Sequence, residues 1–281
     1  MEQLLQHLVN GLVLGGTYAL LGIGLTLIFG LMSVVNFAHG EFYTLGAYAA
    51  FATLALAGLP FFVALVGAIC ERTLLRPLRG HSIDTIMLVM IGVWIAMQNT
   101  ELLAWGGVAR SIPHPFPTAP LTFGPLNIAP LRLFVVVTAA ALIALAWLGI
   151  HATRLGTAMR ATFQDRDTAA LMGVPIGRIH TITFAFGSAL AAAAGALLGP
   201  VFLAYPSMGD LASLKAFSVV ILGGLGNLAG ATLGGLLLGV AEELGAGYVS
   251  SGYRDAVGFV AIILVLLFRP AGLFARAERI G

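Results

Sequence analysis

LVLGGTYALLGIGLTLIFGL, residues 12–31, is twenty residues without a charge, and its reading decides the fold. At a helical rise of about 1.5 Å per residue it reaches about 30 Å, the thickness of a bilayer's hydrocarbon core. Glycines at 15, 16, 22, 24 and 30 leave room for neighbouring backbones to approach, as in helices packed inside lipid. The rest of the chain has the same character. Of 281 residues, 59% are hydrophobic and only 9% charged, with a mean hydropathy of +0.99. A soluble domain needs about a quarter of its residues charged, so lipid is the solvent for most of this surface. MEQLLQHLVNG carries no Lys or Arg ahead of the first apolar run, so that span reads as retained rather than as a cleaved leader.

Downstream, SVVNFAHGEF (33–42) sets Asn36, His39, Gly40 and Glu41 among apolar residues. A second run covers 43–56, and Gly58 with Pro60 marks a turn. The run 61–70 reaches only about 15 Å, so it is a half-helix, or the spans there are arranged differently. Residues 71–84 read as a polar loop with Arg72, Arg76 and Arg79. The next span, 86–105, contains Gln98, Asn99 and Glu101, and nothing in the run shows which way Glu101 faces. Residues 106–131 are rich in Pro and Gly and read as an irregular extended loop. Runs at 133–150, 179–204, 211–222, 233–245 and 256–268 complete the pattern. The expected fold is an all-α polytopic transmembrane helical bundle, one domain over 1–281, with eight or nine membrane segments, some short or broken.

Arginine placement predicts the topology. Ten of the fourteen basic residues lie in 71–84, in 151–180 (Arg154, Arg160, Arg166, Arg178) and at the C-terminus (Arg269, Arg276, Arg279). Basic residues collect in cytoplasmic loops. Nine crossings, with the N-terminus outside and the C-terminus in the cytoplasm, put all three stretches inside and the loop 106–131 outside. These basic residues sit in loops between apolar runs, so the net charge of +2 does not point to nucleic acid.

The longest polar interruption is GTAMRATFQDRDTAALMGVPIG (156–177), inside the loop 151–178. It reads as two short helices. Thr157 is the candidate cap of the first, which runs to about Phe163. Asp165 or Asp167 caps the second, which Gly173 ends and Pro175 stops. Alanines 158, 161, 169 and 170 make it slim enough for a groove, where Arg160 and Arg166 would meet acidic groups; the alternative is a plain positive connector. In GGLGNLAGATLGG (223–235) the glycine density opposes a regular helix. Gly223, Gly224 and Gly226 then line water or the protein interior, or form an ordinary turn flanked by small packing residues.

Ionisable groups within spans are candidates for function. Glu41, His39 and Asn36 either orient a polar substrate, brace a bent helix end through a His–Glu hydrogen bond, or sit solvated at the membrane interface. Lys215, the sole lysine, lies near the outer end of its run and is expected to snorkel. Glu242 and Glu243 are expected in the outer headgroup zone. That lysine stands in SLKAF, which is no phosphate-binding loop, so this chain is not expected to hydrolyse ATP. No HExxH occurs and Cys70 is alone, so no metal-ligand set or catalytic group is expected, and no internal disulfide forms.

Six blocks in order, NGLVLGGTYALLGIGLTLIFG (10–30), VNFAHGEFYTLGAY (35–48), ERTLLRPLRG (71–80), GTAMRATFQDRDTAALMGV (156–174), LKAFSVVILGGLGNLAGATLGG (214–235) and LLFRPAGLF (266–274), carry a resemblance. The chain resembles the permease subunits of bacterial ABC importers for branched-chain amino acids, of the LivH type. The resemblance implies a multi-pass inner-membrane protein beside a second, related permease. It also implies two cytoplasmic ATPase subunits that use ATP and Mg, a periplasmic substrate-binding protein that supplies most selectivity, and no cofactor on this chain. It assigns the 156–177 stretch to ATPase contact, with Gly156, Arg160, Ala161, Asp165, Arg166, Ala169 and Gly173 as candidate contact residues. Urea or short-chain amide uptake is a sister reading. A stand-alone secondary transporter, with Glu41 and His39 as a proton relay, is a reading of another class. The chain departs from the family pattern in a shorter 46–71 stretch and in Leu228-Ala229-Gly230, where a Pro-Gly pair is common.

Overall fold

The computed structural model describes residues 2–53, 59–124, 126–269 and 272–274. Six of its helices are long and apolar enough to cross a membrane. They are α1 (Glu2–Met32), α4 (Ile83–Trp105), α5 (Pro130–Ala152), α8 (Ile176–Leu198), α10 (Leu228–Tyr248) and α11 (Arg254–Phe268) with the 3-10 turn before it. Three more are shorter: α2 (His39–Thr53), α3 (Leu59–Cys70) and α9 (Met208–Gly223). At 15, 12 and 16 residues none of these reaches about 30 Å alone. Two small helices, α6 (Arg154–Gln164) and α7 (Arg166–Leu171), fill the loop between α5 and α8. The expected all-α fold is observed, and six of the described helices have crossing length by themselves.

α1 is the central post. It packs against α10, α8, α9 and α5, and most of its surface is enclosed by protein. The contact with α10 is backbone on backbone. A Cβ added at Gly15 would stand 2.8 Å from the Leu236 Cα, and one at Gly235 would stand 2.6 Å from the Ala19 Cα. Gly11 and Gly15 on α1 face Gly235 and Gly239 on α10, two small-residue steps of four that interlock. The same device seats α2 on α8, where Gly46 lies against Ala192 and Gly195 against Tyr43.

The two ends of α1 identify two faces of the bundle. At its start, Gln6 donates to the Asn127 carbonyl (3.1 Å) and accepts from the Asn127 amide (3.1 Å), while Arg132 donates to Asn10. At its finish, Gly30 lies under the Phe163 ring of α6. The helix between them is about 46 Å long, so the N-terminus and the 106–131 loop share one face, and the 151–178 loop lies on the other. Arg79 also belongs to that second face, since its partner Glu71 holds Thr181 at the start of α8. Arg269, which ends α11, lies there too: Leu273 donates to the Leu222 carbonyl (2.8 Å) beside the α9–α10 turn.

Several local expectations change. The 106–131 loop is not wholly irregular: β1 (Leu121–Phe123) and β2 (Leu126–Ile128) form an antiparallel hairpin. The polar loop 71–84 begins as a π-helical turn, Glu71–Leu75, that prolongs α3 and buries Glu71. The 179–204 run stops being helical at Leu198, where Gly199 and Pro200 follow, and Pro200 has no N–H to continue the ladder. Pro60 falls in the first turn of α3, a position that suits its missing donor. Leu56, Gly58, Arg276 and Arg279 lie outside the described residues.

The α1–α10 seam makes a direct test. Gly239→Val forces a side chain into the Gly15 backbone and should lower the melting temperature of the isolated subunit in detergent, by overpacking worth about 1–3 kcal/mol or more. Gly92→Ala in α4, where an added Cβ meets nothing within 4 Å, should leave it unchanged or slightly raised. Equal melting temperatures for the two variants would contradict the seam.

Candidate functional site

After α1 the chain turns back into the protein. Ser33 takes a positive φ of 52°, and residues 33–36 belong to no helix or strand. α2 then begins at the depth of the middle of α1, where the His39 Nε2 lies 3.1 Å from the Leu21 carbonyl. Its first turn meets the first turn of α9. The Gly40 amide donates to Ser213 Oγ (2.9 Å), that hydroxyl donates to the Phe37 carbonyl (3.3 Å), and Gly40 lies against Gly209. Non-helical backbone at such depth survives only where protein or a water-filled cavity surrounds it. Ser213 answers the amide that the break frees.

This placement corrects the reading of Asn36, His39 and Glu41 as solvated at the interface. All three are buried, because the chain re-enters instead of ending with α1. No His39–Glu41 hydrogen bond brings them together either; His39 uses the Leu21 carbonyl. The Glu41 carboxyl adjoins that of Glu101, which faces inward from α4. The two carboxyls bear on one another, while both side-chain polar atoms of Asn36 lack a hydrogen-bond partner among the described residues. Asp210 beside them is better served, by Trp94 Nε1 (2.9 Å) and Gln98 Nε2 (3.1 Å).

A second buried polar group contradicts the snorkelling of Lys215, which is enclosed with Glu242, while Glu243 lies nearer the face that holds the start of α1. Lys215 is bonded to Glu242, and its Nζ lies 2.8 Å from Asp255 Oδ1. Tyr18 donates its hydroxyl to Glu242 Oε2 (3.0 Å). Glu243 receives Arg254 (2.9 Å) and Asn10 (3.3 Å). Lys215 falls in the middle of α9, and the antiparallel α10 brings Glu242 opposite it. A charge enclosed by helices on several sides needs a partner, and here it has two.

In the 151–178 loop two helices form as expected. Thr153, not Thr157, caps α6: its Oγ1 accepts from the Gly156 amide (3.0 Å), because the helix begins at Arg154. Asp165 caps α7, its Oδ1 accepting from the Asp167 and Thr168 amides (2.9 Å each) and its Oδ2 from the Thr168 hydroxyl (2.6 Å). The Thr168 side chain and amide hold the Asp165 carboxyl below its ordinary pKa. Gly173, at φ 86°, ends α7. Arg160, Asp165, Arg166 and Gly173 are exposed, Ala161 is half-buried, and Gly156 and Ala169 face inward and hold the loop to the body. Arg160 leans back towards Thr157 of its own helix (3.4 Å) and the His151 carbonyl at the end of α5 (3.5 Å).

The glycine block is mostly regular. Gly223 ends α9, and Gly224 and Gly226 take positive φ (86° and 76°) in a short turn. Asn227 Oδ1 then caps α10 at the Gly230 amide (3.1 Å). From Leu228 onward the stretch is helix, its glycines serving contact with α1 and α9 rather than irregular backbone. Of the two readings, the stretch takes the turn flanked by small packing residues, with the Phe163 ring of α6 against Gly226 and Gly30. Gly223 and Gly224 are buried there, away from Asn36, His39, Gly40 and Glu41, so the path residues proposed from sequence divide between two places.

Residues 7–266 match the family described as "Branched-chain amino acid transport system / permease component". The chain belongs to that family. It is 39% identical to the high-affinity branched-chain amino acid transport system permease protein BraD of Pseudomonas aeruginosa, covering 98% of this chain and 96% of that one. It is 37% identical to the corresponding permease protein LivH of Escherichia coli, over the same shares. The ribose import permease protein RbsC of Escherichia coli is 26% identical, over 94% of this chain and 85% of its own length. The alignments to BraD and LivH run over 297 positions against 281 residues, so those relatives carry segments this permease lacks. No solved structure matches.

Sequence reasoning missed three features of this permease. The Glu41–Glu101 contact joins helices whose facing cannot be read from apolar runs. Ser213, which braces the break, looked like part of an ordinary span. Leu171 and Met172, 88% and 82% exposed, form an apolar tip on α7; two large apolar side chains just before Gly173, on a loop already suspected of docking, were the available signal.

The carboxyl pair yields a test. Glu41→Gln supplies an N–H donor to Glu101 at nearly the same volume. The melting temperature of the subunit should hold or rise, by up to about 1 kcal/mol of added stability, and a clear fall would mean the two groups do not meet.

Proposed function

We propose that this permease is one of two related membrane subunits of an ATP-driven importer of branched-chain amino acids, loaded by a periplasmic binding protein. Its identity of 37–39% over 98% of the chain to permeases of that transport class carries the reading; the ribose permease is more distant. In this proposal the six long and three short membrane helices make nine segments, with the N-terminus periplasmic and the C-terminus cytoplasmic. Support comes from Arg72, Arg76, Arg79, Arg154, Arg160, Arg166, Arg178 and Arg269, which gather in the stretches on the α6–α7 face, as cytoplasmic positive charge does.

Two ATPase subunits, using ATP and Mg, would dock on that face. Leu171 and Met172 offer the apolar anchors that such interfaces bury at their centre, with Arg160 and Arg166 as a charged rim. Phe163, seated on Gly30 and Gly226, would pass movement of the loop to the end of α1 and to the α9–α10 turn. The chain itself supplies a path and a coupling surface, with no cofactor.

Reconstitution into proteoliposomes with ATPase partners and receptor tests this. Leucine uptake should require ATP inside the cytoplasmic compartment; uptake driven by a proton gradient without ATPase subunits would overturn it. Leu171→Ser with Met172→Ser should cut uptake at least tenfold and release the ATPase on purification, with the melting temperature of the isolated permease unchanged. Normal uptake in that variant would remove the tip from the docking surface.

A further inference from the structure

A cavity of about 390 Å³ opens between α1, α2, α9 and the start of α11, and its size lies at the small end of ligand pockets, about 300–1,000 Å³. Its walls are mostly apolar, with Leu14, Leu21 and Leu211 among them. One part of the lining is different: Lys215 and Asp255 both reach it, with Arg254 next to them and Tyr18 alongside. The cavity therefore offers a cation and an anion a few ångströms apart beside an apolar chamber. This is the pattern of a free amino acid with an aliphatic side chain.

The ion pair is built unevenly. Of the two carboxylates on Lys215, Glu242 is fully enclosed and also held by the Tyr18 hydroxyl, so it is fixed. Asp255 sits at 2.8 Å with half of its side-chain surface exposed, so it can let go. Lys215 also stands over the Phe259 ring (5.3 Å), which steadies an ammonium that loses one of its anions.

We propose that this cavity is an amino-acid subsite of the permease, entered by exchange of ion pairs. The ligand's α-carboxylate takes the place of Asp255 on Lys215, and its α-ammonium takes Asp255. Lys215 keeps two anionic partners and Asp255 keeps one cationic partner through the exchange, so the zwitterion leaves water without leaving a buried charge unmatched. The branched side chain fills the leucine-lined space. A lipid tail would match the walls but would leave the paired charges without a role. The inference rests on the proposed function, which supplies the substrate class, and adds to it the place and the groups.

The test uses the proposed importer assembled with its ATPase partners and receptor in proteoliposomes, reading leucine moved per ATP hydrolysed. Asp255→Asn removes the ammonium's partner. Leu203→Trp fills the chamber from a half-exposed loop position on its lip and disturbs no helix. Both should lower the ratio at least tenfold, and Asp255→Glu should restore it to within threefold of the parent. An unchanged ratio in either variant, uptake and hydrolysis falling in parallel, or no restoration by glutamate overturns the subsite. Should Asp255→Asn fail to assemble, Leu203→Trp decides alone. If the unaltered complex moves no branched-chain amino acid, the proposed function itself has failed and the subsite falls with it.

Discussion

The bundle depends on how closely the backbone of α1 is approached by its neighbours. In lipid, an apolar side chain gains nothing by moving from hydrocarbon to another helix, so association relies on close van der Waals contact and on polar pairing. Gly11, Gly15, Gly22 and Gly24 provide the first, by letting Val240, Leu236, Val219 and the Gly187 carbonyl reach the α1 backbone. Enclosed on several sides, α1 fixes the positions of α8, α9 and α10, and those fix the interior polar groups. Its finish, at Gly30, also receives Phe163, so the same helix connects the interior to the face that carries the loop helices.

The second means of association is concentrated in two islands. One surrounds the break before α2, where Gly40, Ser213 and Phe37 close the backbone and the Glu41 and Glu101 carboxyls adjoin. The other is the ion-paired set of Lys215, Glu242 and Asp255 with Tyr18, next to the cavity. They differ in kind. The acid-rich island sets two buried carboxyls against each other, so each has the other as a polar partner. The ion-paired island gives each of its enclosed charges a partner, and Asp255 is its half-exposed member.

Much of the secondary structure was legible because the signals act over one or two turns. Asp165 caps α7 and Gly173 ends it as their chemistry requires, and the apolar run around Leu12 grew into α1. Where local signals compete, sequence reading erred by a few residues: Thr157 carries the same hydroxyl as Thr153, and only the Gly156 amide at Thr153 shows which one caps. The glycine block misled for a related reason. Its glycines do weaken helix propensity, yet from Leu228 onward contact with α1 and α9 more than compensates, and α10 stays regular. The candidate site was legible as a set of residues but not as an arrangement: Glu41, Glu101, Lys215 and Glu242 could all be picked out, with the wrong surroundings.

The sequence by itself determined a helical membrane chain, the loop with two capped helices, and the stretches in which arginine gathers. These follow from run length, capping chemistry and the preference of charge for water, all of which act along the chain or between chain and solvent. Tertiary structure alone decided that residues 33–38 turn back to the depth of Leu21, that Lys215 meets Glu242 across 27 residues, and that Phe163 rests on Gly30 and Gly226. Those depend on which helices come within side-chain reach. In lipid that choice is made by small residues fitting against distant backbones, and no run of neighbouring residues encodes the partner.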